Sequence, residues 1–168
     1  MARKRLEFPT GILDCIDVTR ERGTILASAG PAGTNGMTIG WITIGFAWGR
    51  PCCVVLVRKS RHTCTVMEQA ESFTVNVLPE KLQKAVDLFG EASGRDMDKF
   101  AAAKITPVKG ETVDSPYVKE ADLAIECKIA FKSRMDPSLI SADYVRKCYG
   151  DDDYHTMYYG EITAIHRR

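Results

Sequence analysis

From Ala121 to Phe131 the chain alternates: Ala121, Leu123, Ile125, Cys127, Ile129 and Phe131 fall on one side, Asp122, Glu126 and Lys128 on the other. A period of two places successive side chains on opposite faces of a strand, so this segment predicts a strand with one face in the core and one in water. Phe73-Thr74-Val75-Asn76-Val77 repeats the pattern, with Asn76 opposite its apolar neighbours. Cys52 to Val57 is continuously apolar, as in a strand covered on both faces. Thr24 to Ala29, Met37 to Phe46 and Met157 to His166 are rich in β-branched, aromatic and small residues, which brings the expected strands to at least six.

Helical spacing is rarer. Leu82, Ala85, Val86 and Phe89 recur at i, i+3, i+4 and i+7, with Pro79 suited to open the first turn and Gly90 to close the last. Thr63 to Ala70 and Asp96 to Lys104 are shorter helical candidates. Ser133 to Asp153 carries Pro137, Gly150 and three consecutive aspartates, and is expected as a long excursion of the kind that often forms a functional lid. Strands without long alternating helices argue against a doubly wound parallel sheet. They indicate a mainly β fold with flanking helices, an antiparallel barrel with the helices packed outside.

At 168 residues the chain is expected as a single domain over 1–168, and 45% hydrophobic with 27% charged residues is an ordinary soluble, globular composition. A net charge of +1 creates no general field for a nucleic-acid backbone or an anionic membrane. The best alternating strand carries Asp122 and Glu126 where a nucleic-acid-binding barrel would present basic and aromatic residues. No apolar run is long enough to span a bilayer and none follows the basic N-terminus, so the expected location is the cytoplasm, with neither nucleic acid nor membrane as partner. The six cysteines contain no CxxC spacing and the three histidines are scattered, so no metal site is expected and the thiols, Cys52 and Cys53 included, are expected to pack.

Three polar segments carry the candidate chemistry. In Asn35-Gly36-Met37-Thr38-Ile39-Gly40-Trp41 the glycines let backbone groups approach a ligand, and Thr38 offers a hydroxyl, although a glycine-rich turn before a strand has the same composition. Arg58-Lys59-Ser60-Arg61-His62-Thr63 leaves a buried strand and enters a helix, where Arg, two hydroxyls and free helix N–H groups suit an anion, as they also suit a solvated basic turn. Gly90 to Lys99 is a glycine-bearing polar loop between helices, in which Ser93 equally fits a simple cap through Asp96. Neither a GxGxxG nor a GxxxxGK[ST] motif is present.

Taken in order, Asn35-Gly36-Met37-Thr38-Ile39, the Arg58 to Thr63 turn, Phe73 to Asn76, Ser93 to Lys99 and Tyr154 to Ile162 resemble the flavin reductase-like family, whose members are FMN-binding split β-barrels that work as homodimers. The resemblance implies FMN as cofactor, with Met37, Thr38, Ile39 and Gly40 along the isoalloxazine ring beside Asn35. It implies Arg58, Ser60 and Thr63 at the phosphate, Asn76 at the ribityl chain or ring, and Ser93, Gly94 and Lys99 closing over the cofactor. His155, five residues before Gly160, matches the histidine that relatives place beside the nicotinamide, while Asp153-Tyr154-His155 departs from the usual Gly-Asp-His. The implied activity is hydride transfer from NADH or NADPH to FMN, and onward to an acceptor that could be another protein. The alternative is a flavoredoxin-like electron carrier without its own nicotinamide site. His155 also fits a role in fixing the long excursion against the barrel.

Overall fold

The computed structural model describes residues 3–168. In chain order its elements are β1 (Lys4–Arg5), α1 (Ile12–Arg22), β2 (Thr24–Gly30), β3 (Gly33–Ile39), β4 (Ile42–Ala47), β5 (Arg50–Arg58), α2 (His62–Gln69), β6 (Ser72–Val77), α3 (Gln83–Glu91), α4 (Lys99–Ala103), β7 (Pro107–Lys109), β8 (Pro116–Val118), β9 (Leu123–Arg134), α5 (Ala142–Cys148) and β10 (His155–Arg167). Short 3-10 turns cover Glu80–Leu82 and Pro137–Leu139.

The main sheet runs β3-β2-β6-β9-β10-β5-β4, every pairing antiparallel, with β1 added along β10 and with β7 and β8 forming a separate ribbon. The two outermost strands, β3 and β4, are consecutive in the chain and joined only by Gly40 and Trp41. A two-residue link cannot cross an open sheet, so the sheet must curl until its edges meet. They meet without pairing, and the barrel is split along β3. The single strand expected over Met37 to Phe46 is therefore two strands with a break at Gly40, because one edge ends there and the other begins.

The barrel interior is filled by Leu26, Met37, Val55, Phe73, Ile125 and Tyr158, with Ile12 and Cys15 of α1 joining the cluster. A second cluster lies outside, where Ile25 and Ala27 on the opposite face of β2 pack with Val86 and Phe89 of α3, Phe100 of α4 and Ile105. Among the described residues no helix is long and apolar enough to cross a membrane, and no group of three or more His, Cys, Asp or Glu side chains is placed to hold a metal. All six cysteines are free thiols, five of them buried.

Several expectations need correcting. Glu126 does not face water: its side chain is fully buried, accepting bonds from the N–H of Glu111 at 2.9 Å and Thr112 at 2.7 Å and from the Thr112 hydroxyl at 2.7 Å, with His166 Nε2 at 3.1 Å. Burial pushes its carboxyl upward, but these donors outweigh that and hold it below the ordinary value. Strand alternation gives the side on which a residue lies but not whether a loop covers that side. α3 runs through Gly90 and ends at Glu91, and α4 starts only at Lys99 because the Asp98 carboxylate caps it through the N–H groups of Phe100 and Ala101. α1 was not signalled, since its buried stripe is only Ile12, Cys15 and the polar Thr19. The 133–153 excursion does leave the sheet, and it carries α5.

Candidate functional site

Because β3 has no strand partner on its outer side among the described residues, its backbone presents N–H and C=O groups along the split. The split opens into two adjoining cavities that share Met37 and Arg61. The first, about 150 Å³, lies between the Met37–Trp41 run on one side and Leu56, Arg58 and His155 on the other. The second, about 180 Å³, lies between the Ser60–Thr63 turn and the 91–95 loop, with Asn35 and Lys99 in its wall. A wider depression of about 850 Å³ lies beyond that loop and shares Asn35, Gly94, Arg95 and Lys99 with the second cavity.

Two glycines make room here. Among the described residues, and apart from Gly40 and its chain neighbours, no atom lies within 4 Å of where a Cβ on Gly40 would stand, so the first cavity stays open at that point. A Cβ on Gly94 would stand 2.4 Å from Asn35 Oδ1, so only glycine lets this loop approach β3 so closely. Asn35 Nδ2 in turn donates to Thr63 Oγ1 at 3.1 Å, tying β3 to the first turn of α2. The Thr38 hydroxyl donates to the Val86 carbonyl and anchors β3 to α3.

The other residues singled out from sequence are placed as follows. Ser93 and Lys99 join Asn35, Met37, Ser60, Thr63 and Gly94 around the second cavity, and Met37, Thr38, Ile39, Gly40, Arg58 and His155 surround the first. Arg58 is turned toward the excursion rather than into the second cavity. It donates to Cys148 O at 2.8 Å, Asp153 O at 3.0 Å and the Asp151 carboxylate at 3.3 Å. Ser60 is engaged in the same way, its N–H and hydroxyl both donating to the Asp153 carboxylate at 3.1 and 2.5 Å. Asn76 lies in neither cavity. It is wholly buried, donates to Ile25 O and Thr74 Oγ1 and accepts from Val118 N, so it joins β2, β6 and β8.

Arg61, Arg95, Trp41 and Tyr149 were not singled out as site residues. Arg61 lines both cavities and donates to Gly90 O at 2.7 Å, and Arg95 donates to Ser60 O at 3.2 Å. Both lie within segments the sequence had marked, but Arg58 and Arg61 carry the same charge and only the turn geometry separates them. Lys99 Nζ donates to Phe89 O at 3.1 Å and Ala92 O at 3.3 Å, at the C-terminal end of α3. Burial, aided by the Arg61 cation, lowers its pKa to about 8, so it remains mostly protonated at neutral pH.

α2 begins with no side chain capping its N-terminus. Free helix N–H groups with Arg61, Arg95 and Lys99 around them form a place for a phosphate-sized anion. At the other end, strand-edge backbone and the apolar faces of Met37, Ile39, Trp41 and Leu56 suit a flat ring with polar edges. The donor set therefore fits FMN, phosphate in the second cavity and ring in the first. His155 is 8% exposed, 5.0 Å from the Trp41 ring, with Nδ1 2.8 Å from the Tyr149 hydroxyl. Burial, with Arg58 close by, pushes its pKa down to about 4, so it is neutral at physiological pH.

A family model described as flavin reductase like domain matches residues 21–168. Among solved structures, flavoredoxin of Desulfovibrio vulgaris (Miyazaki F) is similar with 26% identity over 87% of this chain and 69% of that one, at a TM-score of 0.69. Flavoredoxin from Methanosarcina acetivorans is similar with 25% identity over 88% and 68% of the two chains, at a TM-score of 0.70. An NADH:FAD oxidoreductase of Streptomyces globisporus C-1027 shares the fold at 21% identity, over 98% and 88%, with a TM-score of 0.67. No curated protein matches.

Proposed function

The chain belongs to the flavin reductase-like domain family, and from that premise we propose that it is a cytoplasmic FMN-dependent oxidoreductase, taking a hydride from NADH or NADPH and passing electrons to an acceptor. The observation that carries this reading is the two-part groove along the split: a ring-sized end edged by strand backbone, joined at Met37 and Arg61 to an anion-binding end. Bound FMN would supply the hydride-accepting and electron-donating chemistry. The chain binds and orients: β3 offers backbone donors and acceptors to the ring edge, while α2, Arg61, Arg95 and Lys99 offer charge to the phosphate. Trp41 and His155 screen the ring end from water, and a neutral His155 presents a hydrogen bond without adding charge.

The test is the visible spectrum of anaerobic protein, loaded with FMN and desalted, before and after adding NADH or NADPH. Retained flavin that bleaches faster than free FMN supports the oxidoreductase reading. Retained flavin that does not bleach favours the second reading, a flavoredoxin-like carrier reduced by another protein. That second reading draws on the acidic segment before His155, because Asp151 and Asp153 stand beside Arg58 where an anionic dinucleotide would approach.

We further propose that the protein works as a homodimer. Trp48 and Phe131 are large, exposed and clustered with Tyr159, ring centroids 5.4 to 6.2 Å apart, an apolar patch of the kind that self-association covers. Trp48→Glu is expected to convert a dimer to a monomer in sedimentation, and a wild-type monomer would refute the proposal.

A further inference from the structure

Tyr149 follows the last residue of α5, and it is almost wholly buried. Its ring stacks on Tyr154 at 4.9 Å, and the Arg58 guanidinium lies 5.5 Å from its centroid. The segment carrying it is fastened at Cys148 O and Asp153 by Arg58 and Ser60, so the phenol is held from several sides. Its oxygen lies 2.8 Å from His155 Nδ1 and 3.1 Å from Met135 Sδ.

A phenol has one proton to donate, and an imidazole nitrogen is a far better acceptor than a thioether. Donation of the Tyr149 O–H to Nδ1 is the stronger of the two arrangements, the other being Nδ1–H donating to the phenol and the phenol to Met135 Sδ, and the tautomer measurement below separates them. Burial raises the Tyr149 pKa, so the group remains a donor, and His155 is neutral. With Nδ1 accepting, the single imidazole proton must sit on Nε2. That nitrogen has no partner among the described residues, and it is not a sealed, unsatisfied atom either, since the one such atom is Arg3 Nη1. His155 lines the ring-sized cavity, so the Nε2–H bond is free to meet an acceptor there.

We propose that Tyr149 is a positioning residue that fixes His155 as its Nε2–H tautomer and so aims a hydrogen-bond donor at an acceptor on the ring system bound in the first cavity. The tautomer rests on this chain's own geometry, and the ligand it serves rests on the flavin reading above. Tyr149 lies in the excursion, and Asp153 and Tyr154 replace the glycine and aspartate that precede this histidine in the resembling family. The device thus belongs to the part of this chain that departs from the pattern.

The decisive test is the two-bond ¹H–¹⁵N correlation spectrum of the imidazole rings in ligand-free, ¹⁵N-enriched protein at neutral pH, with His155→Asn for assignment. The expected pattern is protonated Nε2 and unprotonated Nδ1. Tyr149→Phe keeps the ring stack but removes the hydroxyl, and is expected to shift His155 toward a mixture of tautomers. An Nδ1–H pattern in the wild type, or an unchanged pattern in Tyr149→Phe, overturns the proposal. With FMN bound, Tyr149→Phe is expected to slow flavin reduction by nicotinamide about ten-fold, the loss of one aimed hydrogen bond, while FMN affinity stays within about two-fold. In a His155→Phe background the same change is expected to add nothing, and an equal slowing there would make Tyr149 merely structural and refute its positioning role. No reduction at all in the wild type would count against the oxidoreductase reading, while the spectrum, which needs no flavin, still decides the tautomer.

Discussion

Replacing His155 by Asn should remove a specific acid sensitivity of the fold. Asn places its Oδ1 where His155 presents Nδ1, so the Tyr149 bond survives while the titratable group is lost. The buried imidazole has a pKa of about 4, mainly through burial and then through the Arg58 cation, against 6.5 when exposed. Between those values the unfolded chain binds a proton that the folded chain refuses, so stability rises with pH across the window and falls as the solution is acidified. Complete passage from 6.5 to 4 corresponds to about 3 kcal/mol, and the part lost between pH 7 and pH 5 is about 2 kcal/mol. Urea unfolding of wild type and His155→Asn at both pH values gives the comparison directly, because titrations of groups such as Asp151 and Glu126 are common to both proteins and cancel in the difference. The wild type should lose about 2 kcal/mol more than the variant. Parallel losses, equal within about 0.5 kcal/mol, would mean that His155 titrates normally in the folded protein and would refute the argument that burial keeps it neutral below pH 6.5.

Three further outcomes follow from the groove and its surroundings. Arg61→Ala is expected to weaken FMN by about 1.5 to 3 kcal/mol more than it weakens riboflavin, whereas Arg58→Ala, which releases the 148–153 segment, should weaken both flavins alike; fluorescence titration of each flavin separates the two roles. Gly94→Ala must push Asn35 away from a Cβ 2.4 Å from its Oδ1, and should lower stability by about 1 to 3 kcal/mol along with FMN affinity, measured by urea unfolding and the same titration. Glu126→Ala leaves the N–H groups of Glu111 and Thr112 and the buried His166 without their acceptor, and should cost about 3 to 5 kcal/mol in urea unfolding without altering flavin affinity in the protein that remains folded.

Much of the barrel was legible because its strands obey a local rule. β6 and β9 alternate in sequence, although all of β6 and the first five residues of β9 are buried on both faces; β5 is apolar from Cys52 to Val57, and α2 lies within a residue of the expected helix. What failed was information carried by distant parts of the chain. The break at Gly40 is a property of the sheet closing on itself, and the burial of Glu126 depends on the 111–112 backbone folding across β9. The site followed the same division. Glycines and cations were marked as segments by composition and resemblance, but a segment does not say which of two arginines turns inward. Arg58 turns to the excursion because Cys148 O and Asp153 O lie within reach, and Asn76 is consumed by three hydrogen bonds that no pattern within β6 announces.

The excursion also explains why the two ends of the groove cannot be treated as independent. It leaves β9 after Arg134 and returns in β10, where Thr156 pairs with Arg134 and His155 pairs with Arg58. Its return is fixed by Asp153 on Ser60 and by Arg58 on Cys148, both within the turn that leads to α2 and the anion-binding end. Its body delivers Tyr149 to His155 and Trp41 at the ring end. A shift of this one segment therefore moves the wall beside the ring and the donors beside the phosphate together. Substitutions at Asp153 should accordingly alter the ring environment at His155 through the segment itself, although the Asp153 side chain bonds to Ser60 and Arg58 and not to His155.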